Sequence, residues 1–401
     1  AGLLIFPWAF EKAGGIHLAV TVEMISLVFL ISGLVILGYS SSISGQNTYQ
    51  AVVRDVCGPA IGNLCEICYV FNLFFISVAF LVICLCKVLI TGLPESEMPY
   101  YWYTDHRFAP FLLCLFFIFP LSVPKEISIQ KYTSVLGTFA ATYLTVAVTV
   151  KYHMRPVHEI NLSCLNTAVL VLLILCLFQC HEACIAVYSS MENRKLSHWV
   201  FISVISMFIC LIIYSLTGVF GYLTFGKNVA PDILMSYSGS DVTMIVARLL
   251  FGISIITIYP IIILLGRSVI QDPLLRRRHK HTAVTESYES RTRVALTTVW
   301  VTITLLIAVV DPDISKVISV VGGVSAFFIF IFPGNCCFRI LFLMFNKIHT
   351  YSFTFTITFC FYALFCPRYL LITWGMITLF CGTYIFGQST SIAIMQLLSD
   401  T

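Results

Sequence analysis

Five consecutive residues, Phe178-Gln179-Cys180-His181-Glu182, set an amide, a thiol, an imidazole and a carboxyl group inside an apolar run from about Leu165 to Met191. Apolar residues flank them, Ala168 to Leu177 before and Ala183 to Val187 after. A membrane-spanning helix needs roughly 20 residues at about 1.5 Å each, so these groups cannot all reach the headgroups. An ionisable side chain at mid-bilayer costs about 2.5–3.5 kcal/mol on insertion scales and is kept where it faces a cavity, a partner or a ligand. The stretch therefore reads as part of a pathway or a binding site. The plainer alternative is that His181 and Glu182 reach the membrane surface.

A second polar spot lies further on. Ser254 and Thr257 are three apart, so both hydroxyls share one helix face. Pro260 has no N–H and frees the carbonyl of Ile256. Two hydroxyls beside a freed carbonyl make a hard, uncharged oxygen cluster suited to Na⁺. Ser and Thr in apolar helices also bond back to their own backbone, and the spacing leaves both readings open. Asn72, Ser77, Ser319 and Ser325 are isolated polar groups in apolar runs, where helix packing is the plainer role. Asn72 is carried as a candidate ligand contact. At the start of the chain, Ala1-Gly2 and Pro7 stand within two turns of each other and weaken a helix at that depth.

The elements that must hold these groups are set by composition. The 401 residues are 59% hydrophobic and 10% charged, with a mean hydropathy of +0.95. A soluble domain carries about 25% charged residues, so lipid is the solvent for most of this surface. The net charge of +4 does not suggest a nucleic-acid partner. No phosphate loop, serine elbow or HExxH is present, and an enzyme is not expected. The 16 cysteines fall mainly in apolar runs, such as Cys84, Cys86, Cys114, Cys176 and Cys210. Cys65 and Cys68 form a CxxC without a second ligand pair, which argues against zinc.

The apolar runs predict an all-α, multi-pass membrane protein of about eleven spans. The first ends at Phe10 and is read as truncated at its start. His17–Tyr39, Ile61–Ile90, Phe111–Val123 and Tyr132–Tyr152 follow, with a polar loop over Ser40–Pro59. The sixth span carries the polar break. Trp199–Phe225, Val242–Ile270, Val294–Val310 and Ile314–Phe345 come next, with a charged loop over Arg267–Arg293. The last span is read over Leu370–Leu398, and Phe353–Phe365 is left unassigned. Arg276, Arg277, Arg278 and Lys280 place their loop in the cytoplasm. Asn161-Leu162-Ser163 is a glycosylation sequon, usable only on the outer face. Three spans separate the two, which puts them on opposite faces as both rules require.

The candidate breaks, at Ala1–Pro7 and Gln179–Glu182, lie five spans apart. That suits a LeuT-like five-plus-five inverted repeat, in which broken helices offer bare backbone groups to a small zwitterion and its ion. The expected division is 1–153, 154–345 and 346–401. A family resemblance runs along the whole chain. AGLLIFPWAFEKAGG at 1–15, SLVFLISGLVILGY at 26–39, FQCHEA at 178–183, YSLTGVFGYLTFG at 214–226, DILMSY at 232–237, GRSVIQD at 266–272, FFIFIFPG at 327–334 and IFGQST at 385–390 recur in order. The chain resembles the sodium-coupled neutral amino acid transporters of the solute carrier 38 type. The resemblance implies alternating access, glutamine and other neutral amino acids as cargo, and sodium as coupling ion with no resident cofactor. It implies substrate against Ala1, Gly2 and the Phe178–Glu182 break, and sodium near Ser254 and Thr257. The plasma membrane is the expected residence, with the lysosomal membrane as alternative. The rival function is a non-transporting membrane receptor or sensor that binds an amino acid.

Overall fold

The computed structural model describes residues 2–12, 14–83, 108–124, 130–154, 180–279, 286–310, 314–339, 372–391 and 395. Every regular element among them is helical. In order they are α1 (Gly2–Lys12), α2 (Ile16–Ser44), α3 (Tyr49–Cys57), α4 (Pro59–Ile83), α5 (Phe108–Leu113), α6 (Phe119–Ser122), α7 (Gln130–His153), α8 (His181–Ser190), α9 (Leu196–Phe225), α10 (Ile233–Ser236), α11 (Val242–His279), α12 (Glu286–Val310), α13 (Ile314–Ala326) and α14 (372–391). Seven helices among the described residues are long and apolar enough to cross a membrane.

Two predicted loops are corrected. The polar stretch Ser40–Pro59 contains α3, a nine-residue helix. Its buried Tyr49, Val52, Val53 and Val56 stand at i, i+3, i+4 and i+7, one apolar stripe, while Arg54 on the other side pairs with Glu66 at 2.8 Å. Gly58 ends the helix at φ +97°, and Pro59 then opens α4. The basic stretch Arg267–Arg293 is largely helical too, because α11 runs on to His279 and α12 starts at Glu286. The break expected within Ala1–Pro7 is corrected from Gly2 on: α1 is continuous from Gly2 through Pro7.

Prolines leave a visible mark elsewhere. α5 joins α6 through a π turn at Cys114–Ile118, two residues before Pro120, and α13 continues through a π turn at Phe327–Ile331, two before Pro333. Proline lacks the N–H that would bond the carbonyl four residues back, and its ring crowds that carbonyl. One wider turn relieves the crowding, with Phe119 N–H bonding Cys114 O and Phe332 N–H bonding Phe327 O.

The chain forms two compact units. The first comprises Ala1–Val20, Tyr69–Leu170 and Ile212–Val321. Here α11 packs along α7, joined by the Tyr143 hydroxyl to Thr243 O at 3.2 Å and by a Lys151–Asp241 ion pair at 2.6 Å. Gly218 and Gly221 on α9 admit α1: a Cβ on either would lie 2.7 Å from Phe10 or 2.6 Å from Pro7. Trp300 of α12 donates to Ser77 Oγ at 3.2 Å, and Ser77 donates to Leu73 O, so Ser77 ties helices together.

The second unit comprises Thr21–Cys68, Val171–Leu211 and Gly322–Thr401. α3 packs on α8, and Phe29 of α2 stacks on Trp374 of α14 with ring centroids 5.1 Å apart. A Cβ on Gly323 would meet Ser389 Oγ at 2.5 Å. Gly323 thus serves close helix approach.

Candidate functional site

α8 starts at His181. Cys180 before it is non-helical (φ −132°, ψ −1°) and exposed, and its side chain makes no cap bond. The backbone N–H groups of the first turn of α8 are therefore not capped by that side chain. Phe178 and Gln179 lie outside the described residues, as do Ala1 and the sequon at Asn161.

His181 is 0% exposed and Glu182 is 8% exposed. The imidazole Nε2 lies 3.0 Å from Leu30 O on α2. A carbonyl only accepts, so Nε2 carries the proton and Nδ1 presents a lone pair. Nδ1 is buried with no partner among the described residues. A buried acceptor left unmatched costs about 1–3 kcal/mol, so it asks for a donor from elsewhere.

The sequence of α2 explains why the ring fits. A helical side chain covers the turn on its N-terminal side, so a glycine uncovers the carbonyl beneath. Gly33 exposes Leu30 O, and a Cβ there would lie 2.8 Å from His181 Nε2 and 3.1 Å from Ile329 O. One turn on, Gly38 exposes Leu34 O, which accepts from Trp199 Nε1 at 3.0 Å. A Cβ on Gly38 would lie 2.4 Å from the indole. Gly33 and Trp199 were missed from sequence. The signal was the spacing of two glycines in an otherwise bulky helix. Glu23, 1% exposed on the same helix, was missed as well.

The second polar spot belongs to the first unit. Ser254 is buried and Thr257 half-buried on an unbroken α11. Thr257 Oγ1 donates to Ile253 O at 3.0 Å and Ser254 O at 2.9 Å. For Thr257 the back-bonded arrangement is thus the one present. It uses only the hydroxyl proton and leaves the oxygen lone pairs able to meet a cation. Asn72, on α4 in this unit, is fully buried.

Three ionisable groups in the first unit escaped notice. Arg248 Nη2 donates to Leu234 O and Tyr237 O at 2.8 and 3.0 Å, closing the end of α10. Asp232 caps its start through Leu234 N–H at 2.9 Å. Burial pushes the Asp232 carboxyl up to about 6, against the lowering by the Leu234 N–H and Arg248. Arg267 holds Ser122 O and Pro124 O at the end of α6, together with Thr297 Oγ1. Among the described residues no three His, Cys, Asp or Glu side chains are grouped to hold a metal ion.

Seven membrane-length helices among the described residues describe an integral, multi-pass membrane protein. Residues 1–381 match the family described as transmembrane amino acid transporter protein, and the chain belongs to that family. It is 53% identical to the Xenopus tropicalis protein named "Putative sodium-coupled neutral amino acid transporter 8", over 100% of this chain and 91% of that one. Solute carrier family 38 member 8 of Homo sapiens is 47% identical over 99% of this chain and 91% of its own. Sodium-coupled neutral amino acid transporter 7 of Danio rerio is 38% identical over 99% and 84%.

Proposed function

We propose that this chain is a secondary active transporter that moves neutral amino acids such as glutamine across its membrane, coupled to sodium, by alternating access. The observation that carries the reading is His181. Its Nδ1 lone pair is buried with no partner among the described residues, at a helix start that the Cys180 side chain does not cap. A zwitterion complements both groups. Its carboxylate suits the first-turn N–H groups of α8, and its ammonium or a side-chain amide suits Nδ1. The relatives named above, with sodium and neutral amino acids in two of their names, support the same cargo and ion.

Within this reading, Cys180, His181 and Glu182 contact substrate, with Phe178, Gln179, Ala1, Gly2 and Asn72 as further contacts. Ser254 and Thr257 supply oxygens to Na⁺. The inverted repeat, with halves 1–153 and 154–345, belongs to the same proposal, as does residence at the plasma membrane. The test is uptake of radiolabelled glutamine by cells expressing the protein, with sodium and with choline in its place. Uptake that disappears in choline is the expected result. Saturable glutamine binding without flux in either medium overturns transport in favour of a sensor.

A further inference from the structure

Two buried thiols outside this site meet at the end of α3. Cys57 Sγ and Cys336 Sγ are 3.6 Å apart, van der Waals contact for two sulfurs, and the residues are 3% and 0% exposed. The contact is one end of a seam. At the other end the Tyr49 hydroxyl donates to Phe328 O at 3.2 Å, and the Tyr49 ring meets Phe328 and Phe332 edge-on. Both pairs are 279 residues apart in sequence. α3 therefore runs parallel to the helical stretch Val320–Arg339, in register over about 12 Å. The Tyr49 hydrogen bond fixes one end of the seam; at the other, two thiols share an S–H···S hydrogen bond and no covalent bond.

Local chemistry separates the two thiols. The contact with Cys336 and the Arg339 guanidinium hold the Cys57 thiol below its ordinary range, against burial, so Cys57 is the nucleophile of the pair. Cys57 is also the last residue of α3, before the one-residue corner at Gly58. Local opening at such a corner admits a water-sized oxidant.

We propose that Cys57 and Cys336 form a reversible redox-modification site, which hydrogen peroxide oxidises to a disulfide tying α3 to the helical residues 332–339. The Cys57 thiolate attacks one peroxide oxygen, the O–O bond breaks, and the departing hydroxide takes up the thiol proton as water. Cys57 is then a sulfenic acid. The Cys336 sulfur attacks Cys57 Sγ, the S–S bond forms, and the hydroxyl leaves with the Cys336 proton as a second water. The two sulfurs give up two electrons and the peroxide takes them. A thiol reductant reverses the bond. Resting on the transport reading, the bond restrains α3 against residues 332–339 and slows the cycle.

The test treats membranes from cells expressing the protein with hydrogen peroxide, blocks free thiols, and maps linked peptides by mass spectrometry without reduction. The expected result is a Cys57–Cys336 peptide that dithiothreitol removes and that is missing from Cys57→Ser and Cys336→Ser. Uptake by the parent should fall about fivefold and recover with dithiothreitol, while both variants keep theirs. Both thiols still alkylated after peroxide, or Cys57 bridged to Cys65 instead, overturns the site. A Cys57–Cys336 bridge with unchanged uptake overturns its effect on the cycle. The peptide readout does not require flux, so a protein that proves not to transport still decides the site.

Discussion

On α11, Thr257 turns its hydroxyl back on its own helix and meets two carbonyls there. At the start of α8, His181 gives one ring nitrogen to a carbonyl of another helix and keeps the second buried, with no partner among the described residues. Asp232 resembles His181: one oxygen caps α10, and the other is buried without a partner among the described residues. A hydroxyl is satisfied locally because a helix always offers the carbonyls three and four residues back. A rigid ring with opposed nitrogens cannot fold onto its own turn. Buried in a helix interface, it must find partners in two directions, and the second direction is where a ligand can enter.

Removing the unmatched group should have the largest effect. His181→Ala should cut glutamine uptake about 10- to 100-fold at equal surface expression, the worth of one or more hydrogen bonds to a charged ligand. Uptake within twofold of the parent would make His181 a packing residue. Gly33→Ala tests the same ring without touching it. Its methyl would overlap Nε2 and cost about 1–3 kcal/mol of overpacking, read as roughly a tenfold loss of uptake. Parent-like uptake in Gly33→Ala would show that the ring need not sit against Leu30 O.

Asp232 gives the comparison a pH axis. Its folded pKa of about 6 lies above the ordinary carboxylate value near 3.8. The folded state therefore holds the proton more tightly than the unfolded chain. Stability from this group is full below about pH 3.8 and is lost as pH rises through 6, a few kcal/mol at most. Asp232→Asn keeps an acceptor for the Leu234 N–H. It should raise the melting temperature of detergent-solubilised protein by several degrees at pH 7.5, with the gain shrinking toward pH 5. A lower melting temperature at pH 7.5 would mean that attraction to Arg248 outweighs burial. The smallest effect is expected from Thr257→Ala. The sodium concentration for half-maximal uptake should rise a few-fold, with little change in the substrate KM at saturating sodium. Superimposed sodium curves would leave Thr257 serving only its own helix.

The spans were legible because hydropathy alone decides what lipid can surround. Val242–Ile270 and Trp199–Phe225 came within a few residues of α11 and α9, although α11 overran its predicted end. α3 was not legible as structure, since a stripe of four apolar residues in nine hides among Arg54, Asp55 and Gln50. His181 stood out because an imidazole inside an apolar run has few innocent explanations. Its partner did not, because a backbone carbonyl carries no letter of its own. Only the glycine above it does. The choice between a sodium oxygen and a back-bonded hydroxyl at Thr257 turns on a rotamer, which spacing does not encode.

α11 has 38 residues, about 57 Å of continuous helix, nearly twice the hydrocarbon thickness of a bilayer. Arg248 fastens it near one end and Arg267 further along. A rod gripped in this way behaves as a lever. A tilt of about 5° imposed at its Val242 end swings the His279 tip by about 5 Å, so what moves one end of the rod is felt at the other.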